Sequence, residues 1–317
     1  MPHLLIAGML HPAGLALLDR TNGVTYDYVE EVSEPSYAPL IGKADGLVIR
    51  TQPLSAATIA GASRLKIVSR HGVGYDSVDV ATLNKRQIPL CVVGDVNSLS
   101  VGEHAMALIL ASAKRLIRAD RSVRAGPWGW RNALEAEEIS GKNLLIIGYG
   151  RSGRHLARMA QGFEMQTRAF DPFLVKHGWP DGPAAPVASL AEGLVWADVI
   201  SVHVPKAGRP ILGAEEFAQV KVGVIIVNTA RGGIVDEAAL AAALAEGRVA
   251  AAGLDVFDDE PPAKDHPLLA FDQVVLTPHI AGLTEQAAER MAVSSVQNVF
   301  DFLAGRLDSD LIVNKDF

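Results

Sequence analysis

Short apolar runs alternate along this chain with segments whose apolar residues recur at helical spacing. His3–Ala7 reads as a strand, Ala13–Arg20 as a helix, Val24–Val29 as a strand and Pro35–Ile41 as a short helix. Gly46–Ile49 and Leu65–Val68 read as strands joined through a helix near Ala56–Gly61, followed by a helix over Val78–Arg86 and a strand over Pro89–Val92. Strands alternate with short helices, so both faces of their sheet should be covered. That is the pattern of a parallel sheet between helices. This first α/β unit ends near Asn97.

A long helix is predicted next, Val101 to about Arg124, apolar in its first half and basic in its second. Gly126-Pro127-Trp128-Gly129-Trp130 stops it. A second series of strands then begins at Asn143 and continues near Gln166–Phe170, Val199–Val202, Val224–Val227, Val249–Leu254 and Val274–Leu276. Helices are expected near Ser189–Ala197, Glu215–Gln219 and Glu237–Glu246, and Gly178–Pro186 reads as a surface loop. Thr284–Leu303 is a final long helix, with Ala288, Met291, Val299 and Leu303 among its apolar positions. Because the second series starts only after a complete α/β unit, it is expected as an insertion, with the last helix returning to the first domain. The expected boundaries are 1–97 plus 285–317 for one domain and 98–284 for the other.

The second series opens on its most informative stretch, KNLLIIGYGRSGRHLARMAQG, from Lys142 to Gly162. An apolar strand breaks at Gly148-Tyr149-Gly150-Arg151-Ser152-Gly153, and a helical pattern follows. This is the order a dinucleotide-binding crossover requires. Gly148 permits the tight turn, Gly150 lets a pyrophosphate approach the backbone, and Gly153 lets helix and strand pack closely. The first helical amides and the positive end of the helix dipole then face the phosphates. About twenty residues on, the strand Gln166–Phe170 ends in Asp171, whose carboxylate can accept from a ribose 2′-hydroxyl.

Composition narrows the reading. The 317 residues suffice for two domains. A formal net charge of −7 leaves no basic field for nucleic acid or an anionic membrane surface, so an anionic substrate must be held by local cations. The single cysteine, Cys91, rules out an intrachain disulfide and fits a reducing compartment. The N-terminal MPHLLIAGML lacks a basic leader and reads as a first strand rather than a signal peptide. No apolar run approaches a membrane span. A cytoplasmic protein is expected, with no metal site.

Ligands of open α/β sheets sit beyond the carboxyl ends of the strands, and three charged groups fall there after the glycine turn. Arg231 lies in Asn228-Thr229-Ala230-Arg231-Gly232-Gly233, Glu260 in Gly253-Leu254-Asp255-Val256-Phe257-Asp258-Asp259-Glu260-Pro261-Pro262, and His279 in Thr277-Pro278-His279-Ile280-Ala281-Gly282. Together they suit oxidation of an α-hydroxy acid. A guanidinium matches a carboxylate with two parallel N–H groups. An imidazole takes the hydroxyl proton as hydride leaves, or returns it. A neighbouring carboxylate orients that imidazole and favours its charged form. Taken singly, the same residues also suit a surface ion pair, a solvated acidic turn and a helix-start residue.

In this order, GYGRSG with Asp171, NTARGG, GLDVFDDEPP and TPHIAG resemble the D-isomer-specific 2-hydroxyacid dehydrogenases. The likeness reaches the first domain, where Ser69-Arg70-His71-Gly72-Val73-Gly74-Tyr75-Asp76 resembles that family's substrate-carboxylate loop. It also includes Asn97–His104, which resembles the start of its interdomain helix. The resemblance implies two doubly wound parallel-sheet domains hinged over a cleft, a Rossmann nucleotide domain inserted in a flavodoxin-like substrate domain. It places the family's catalytic Arg, Glu and His on Arg231, Glu260 and His279. The cofactor contacts it implies are Gly148, Gly150, Arg151, Ser152, Gly153, Asp171, His203, Pro205, Thr229, Ala230, Asp255 and His279, with Asp255 near the nicotinamide carboxamide. Substrate contacts would come from Arg231, the backbone of Val73 and Gly74, and the cationic candidates Arg50 and His71, with Arg70 beside them. A homodimer is implied, formed through the apolar half of Val101–Arg124 and the Trp128/Trp130 pair.

Two positions depart from the family pattern. Ser152 replaces an aliphatic residue, which should loosen helix packing slightly. Lys206-Ala207-Gly208-Arg209-Pro210 replaces a Leu-Thr stretch after Ser201-Val202-His203-Val204-Pro205, adding two cations on the adenosine side. Asp171 would repel a 2′-phosphate, so NAD is expected over NADP, with Arg168, Lys176, Lys206 and Arg209 as the opposing charges. The alternative to an enzyme is an NAD(H)-sensing, co-repressor-like interaction protein with little turnover; the complete Arg231/Glu260/His279 set favours catalysis. Glu260 in place of an amide argues against the formate dehydrogenase relatives. Glyoxylate, hydroxypyruvate and phosphoglycerate all remain open as substrates. With the chain ending at Phe317, serine feedback of the kind seen in longer phosphoglycerate dehydrogenases is not expected.

Overall fold

The structure is a computed structural model that describes residues 1–126, 128–206 and 208–315. Pro127 of the expected helix stop, Ala207 of the loop after Pro205, and the last two residues of the expected first domain lie outside the described residues. The chain divides into two compact units, Met1–Asn97 with Leu283–Phe317, and Ser98–Gly282.

The first unit is a five-stranded parallel sheet of β1 (His3–Ala7), β2 (Thr25–Val29), β3 (Gly46–Ile49), β4 (Ile67–Arg70) and β5 (Leu90–Cys91). Its order, β2-β1-β3-β4-β5, is the flavodoxin-like order. Successive side chains of a strand point to opposite faces, and both faces are filled. Leu5, Ala7, Leu47 and Ile49 pack with Tyr37, Ile41 and Ile59, whereas Leu4, Ile6, Val48 and Ile67 pack with Leu18, Val296 and Val299. The second set includes the helix Glu285–Leu303, which returns from the end of the chain to cover this sheet.

The second unit carries β6 (Asn143–Ile147), β7 (Gln166–Phe170), β8 (Ala185–Pro186), β9 (Val199–Val202), β10 (Val224–Asn228), β11 (Val249–Leu254) and β12 (Val274–Leu276). All pairs are parallel, in the order β12-β11-β10-β9-β6-β7-β8. This is the 3-2-1-4-5-6 Rossmann order extended by one strand. Leu144 and Ile146 pack against Leu108, Ile109, Leu156 and Ala160, while Leu145 and Ile147 pack with Leu194, Ile234 and Leu240 on the other face.

Local structure departs from the sequence pattern in five places, the first being β8, a short strand that ends the stretch Gly178–Pro186 expected as a loop. The long helix expected over Val101–Arg124 is two helices, Ser98–Ala113 and Leu116–Ala125. The break falls at Arg115, whose φ is +53° and whose guanidinium bonds to the Ala250 carbonyl at 2.9 Å. Burial along the helix stops there: nine residues of the first helix are buried and none of the second. The strand expected at Leu65–Val68 lies two residues later, so Arg70 is a strand residue. The region near Pro35–Ile41 is one α-turn, Glu34–Tyr37, followed by a 3₁₀ segment, Ala38–Lys43. A short helix, Pro172–His177, had not been expected. Its signal was Asp171-Pro172, an N-cap followed by proline at the first helical position, and the Asp171 side chain accepts from Leu174 N–H at 3.1 Å.

Candidate active site

The glycine turn follows β6 at the point where the strand order reverses. Gly148 has φ +93°, and a Cβ there would lie 2.7 Å from the His203 carbonyl oxygen beyond β9. Only glycine combines that backbone angle with that approach. A Cβ on Gly153 would overlap the Gly148 carbonyl and press on Ile146, so helix and strand are held at glycine distance. At Gly150 a Cβ would meet nothing within 4 Å, which leaves the backbone open to an incoming group. The helix Arg151–Gly162 makes its first bond from Arg154 N–H to the Gly150 carbonyl at 3.0 Å, so the amides ahead of it lie at its open N-terminal end. Arg151 is exposed there and Ser152 is half-buried.

Asp171 closes the far side of the turn. One carboxylate oxygen accepts from Tyr149 N–H at 2.9 Å and the other from Leu174 N–H at 3.1 Å. Arg168 turns away from this region, its guanidinium 4.6 Å over the Trp196 ring and 3.5 Å from Glu192. Lys206 lies over Gly233, where a Cβ would come within 2.9 Å of its Nζ. His203 bonds to Ser201 Oγ at 2.8 Å, and desolvation pushes its imidazole down to about 4, so it is neutral at physiological pH.

The turn after β10 is pinned by the buried Asn228, which accepts from Ala230 N–H and donates to the Arg231 carbonyl, each at 3.0 Å. Arg231 Nη1 bonds to the Ala230 carbonyl at 2.7 Å. Thr229 Oγ1 is buried with no hydrogen-bond partner among the described residues. The next residue, Gly232, abuts the loop after β11: a Cβ on it would overlap the Phe257 carbonyl. That loop carries Glu260. Glu260 Oε1 accepts from Phe257 N–H at 3.1 Å, and Oε2 receives His279 Nδ1 at 2.7 Å. Both side chains keep solvent access, 48% for His279 and 37% for Glu260. With Nδ1–H donated to Glu260, the neutral imidazole presents Nε2 as its basic atom.

Beneath His279 lies Asp255, fully buried. Its carboxylate accepts from Thr277 Oγ1 (2.6 Å), Ile280 N–H (2.9 Å) and Ala281 N–H (2.8 Å). Its carbonyl accepts from His279 N–H at 2.8 Å, and His279 itself has φ +52°. Asp255, expected as a cofactor contact, supports the His279 turn in its left-handed conformation. Thr277 gives its only hydroxyl proton to Asp255, so the 2.9 Å contact from His104 Nε2 is a donation to Thr277. Neither Thr277 nor His104 had been singled out for this role, because Asp255, Thr277 and His104 are far apart in sequence.

In the first unit the other candidates stand at the ends of β3 and β4. Arg50 follows β3, with Nη1 on the Met9 carbonyl at 3.3 Å. Arg70, at the end of β4, is buried and donates to the Ile49 and His71 carbonyls at 3.3 and 3.0 Å. The His71 imidazole is buried, its Nε2 without a partner among the described residues. Burial, with Arg50 and Arg70 nearby, pushes it down to about 4. Val73 is exposed and Gly74 half-buried. Gln52 is buried against Gly8 at the switch between β1 and β3. Among the described residues no cluster of three metal-ligating side chains occurs, and no helix is long and apolar enough to cross a membrane.

Residues 106–281 match the family described as D-isomer specific 2-hydroxyacid dehydrogenase, NAD binding domain. The chain belongs to the D-isomer-specific 2-hydroxyacid dehydrogenase family, and this segment is its NAD-binding domain. It is 38% identical over 289 residues to D-3-phosphoglycerate dehydrogenase of Archaeoglobus fulgidus, covering 90% of this chain and 54% of that protein. The chain thus spans just over half the length of this curated relative. It is 38% identical over 276 residues to hydroxypyruvate reductase of Thermotoga maritima, covering 86% of this chain and 89% of the relative. Among solved structures, an NADPH-dependent glyoxylate/hydroxypyruvate reductase of Sinorhizobium meliloti superposes with a TM-score of 0.87 at 25% identity. That match covers 100% of this chain and 99% of the other.

Proposed function

We propose that the chain is an NAD-dependent oxidoreductase that interconverts a D-2-hydroxy acid and its 2-oxo acid. The observation that carries this reading is the 2.7 Å bond between Glu260 and His279, next to the loop that bears Arg231. The open backbone at Gly150, the N-terminal amides of the following helix and the Asp171 carboxylate fit a dinucleotide. They would hold its pyrophosphate and one ribose. The bound nicotinamide supplies the hydride chemistry.

The side chains supply the rest. Arg231 receives the substrate carboxylate and orients the carbon that reacts. In reduction, His279 starts as the imidazolium and delivers the Nε2 proton to the carbonyl oxygen; in oxidation, neutral Nε2 takes the hydroxyl proton. Glu260 stabilises the charged imidazole and keeps Nδ1 protonated, so that Nε2 is always the atom that exchanges the proton.

The substrate is a small 2-oxo or 2-hydroxy acid. The candidates are glyoxylate, hydroxypyruvate and a 2-oxo acid with a second anionic group. A panel of glyoxylate, hydroxypyruvate, pyruvate and 3-phosphohydroxypyruvate with NADH tests the reading. Turnover of at least one supports it, and NADH binding without turnover of any would favour an interaction protein, a role that none of the relatives named above carries. A cytoplasmic homodimer completes the proposal. The expected apolar half of Val101–Arg124 falls in Ser98–Ala113, nine of whose residues are buried, so the apolar surface for a second copy is the exposed Leu116, Ile117, Val123 and Trp128 (65% exposed). Trp130 bonds instead to Glu135 of its own chain, with the Arg118 guanidinium 5.5 Å over its ring. Sedimentation as a monomer at micromolar concentration contradicts the dimer.

A further inference from the structure

A second His–Glu pair stands behind the first. Glu237, at the start of the helix Glu237–Ala245, receives His266 Nε2 on Oε2 at 2.9 Å and Asp258 N–H on Oε1 at 2.9 Å. Both side chains are largely buried. Leu268 N–H donates to His266 Nδ1 at 3.3 Å, so the ring proton of the neutral imidazole is on Nε2 and points at Glu237. The Phe257 ring meets the His266 ring edge-on, with centroids 6.0 Å apart.

The peptide between Phe257 and Asp258 is therefore gripped from two sides. Its N–H is bonded to Glu237, while its carbonyl is pressed against Gly232 in the Arg231 turn. A trans peptide points these two groups in opposite directions, so Glu237 and Gly232 together fix its plane. The preceding amide, Phe257 N–H, is the one that holds Glu260 Oε1. Rotation of this peptide would move the bond that orients Glu260, and with it the carboxylate oxygen facing His279.

We infer that Glu237 and His266 are positioning residues for the Glu260–His279 pair. They touch neither substrate nor cofactor in this role and act through the 257–258 backbone. The inference rests on Glu260 and His279 being the acid–base pair. A displacement of about 1 Å suffices to matter, because misplacement on that scale costs on the order of a hundredfold in rate.

The test compares Glu237→Ala, Glu237→Gln and His266→Ala with Glu260→Gln and His279→Gln in the full chain. The probe is NADH with whichever of glyoxylate, hydroxypyruvate or 3-phosphohydroxypyruvate is turned over fastest. Glu237→Ala should lower kcat by about tenfold or more while KM for the oxo acid and Kd for NADH stay within about twofold. Glu237→Gln should recover part of that loss, since its amide oxygen still accepts from Asp258 N–H while its amide NH2 faces the His266 Nε2 proton. His266→Ala, which leaves Glu237 in place, should lie between them and serves if Glu237→Ala does not fold. Wild-type kcat in Glu237→Ala and His266→Ala, or a KM for the oxo acid that shifts as much as kcat does, overturns the inference. Full turnover in Glu260→Gln and His279→Gln would instead overturn the assignment of the acid–base pair.

Discussion

The Asp171 carboxylate is bonded to the Tyr149 amide 2.9 Å away, across the gap between the ends of β7 and β6. The acid at the second strand end is thus locked to the middle of the glycine turn, and its other oxygen caps the next helix. Each oxygen keeps a further lone pair for a ribose hydroxyl, and the fixed negative charge opposes a phosphate. NADH should therefore give a kcat/KM about tenfold or more above NADPH, a difference of roughly 1.4 kcal/mol. Asp171→Asn, which removes the charge and keeps an acceptor for Tyr149, should narrow the gap. Equal efficiency of the two cofactors in the wild type refutes the assignment.

His279→Gln should cut turnover by about a hundredfold or more, the usual cost of losing a general acid–base group, with NADH affinity retained. Glu260→Gln should lose less, because an amide oxygen still accepts from Nδ1 but no longer stabilises the imidazolium. Steady-state kinetics with fluorescence titration of NADH separates these outcomes, and unchanged turnover in His279→Gln removes this residue from the mechanism.

For Arg231, alanine should raise KM and lower kcat together, since both capture and orientation depend on the two-pronged contact. Lysine restores the charge without the fork and should recover KM more than kcat. A lysine variant equal to wild type would show that only charge matters at this position.

Acid should destabilise the fold through two histidines. His71 and His203 are each held neutral, with their imidazoles pushed down to about 4. Below the ordinary value of about 6.5, the unfolded chain binds a proton at each position that the native chain refuses. Stability is therefore fully present above about pH 6.5 and falls as pH drops from there towards 4, by at most about 1.4 kcal/mol per pH unit for each group. Urea midpoints measured between pH 7.5 and 4.5 should fall accordingly, and His203→Asn should flatten the slope. An unchanged slope in that variant would exclude His203 from the linkage.

Much of this molecule was legible in the residues because its signals are local. Apolar strands covered on both faces, a glycine turn that leaves room for backbone contacts, and charged groups just past strand ends are all written within stretches of a few residues. The helix break at Arg115 was not legible, since nothing in 98–125 but the loss of buried neighbours ends the first helix there. Nor was the use of Asp255, which in sequence is one acid near several others. Only the packing of β11 beside β12 brings it under Thr277, Ile280 and Ala281. The sequence by itself determined which chemical groups the chain holds and the order in which strands deliver them. Tertiary structure decided which carboxylate faces His279, which one supports its turn and which one, Glu237, braces the loop between them. Hydrogen bonds between residues nineteen or more positions apart are set by strand order and backbone placement, and no short-range pattern encodes them.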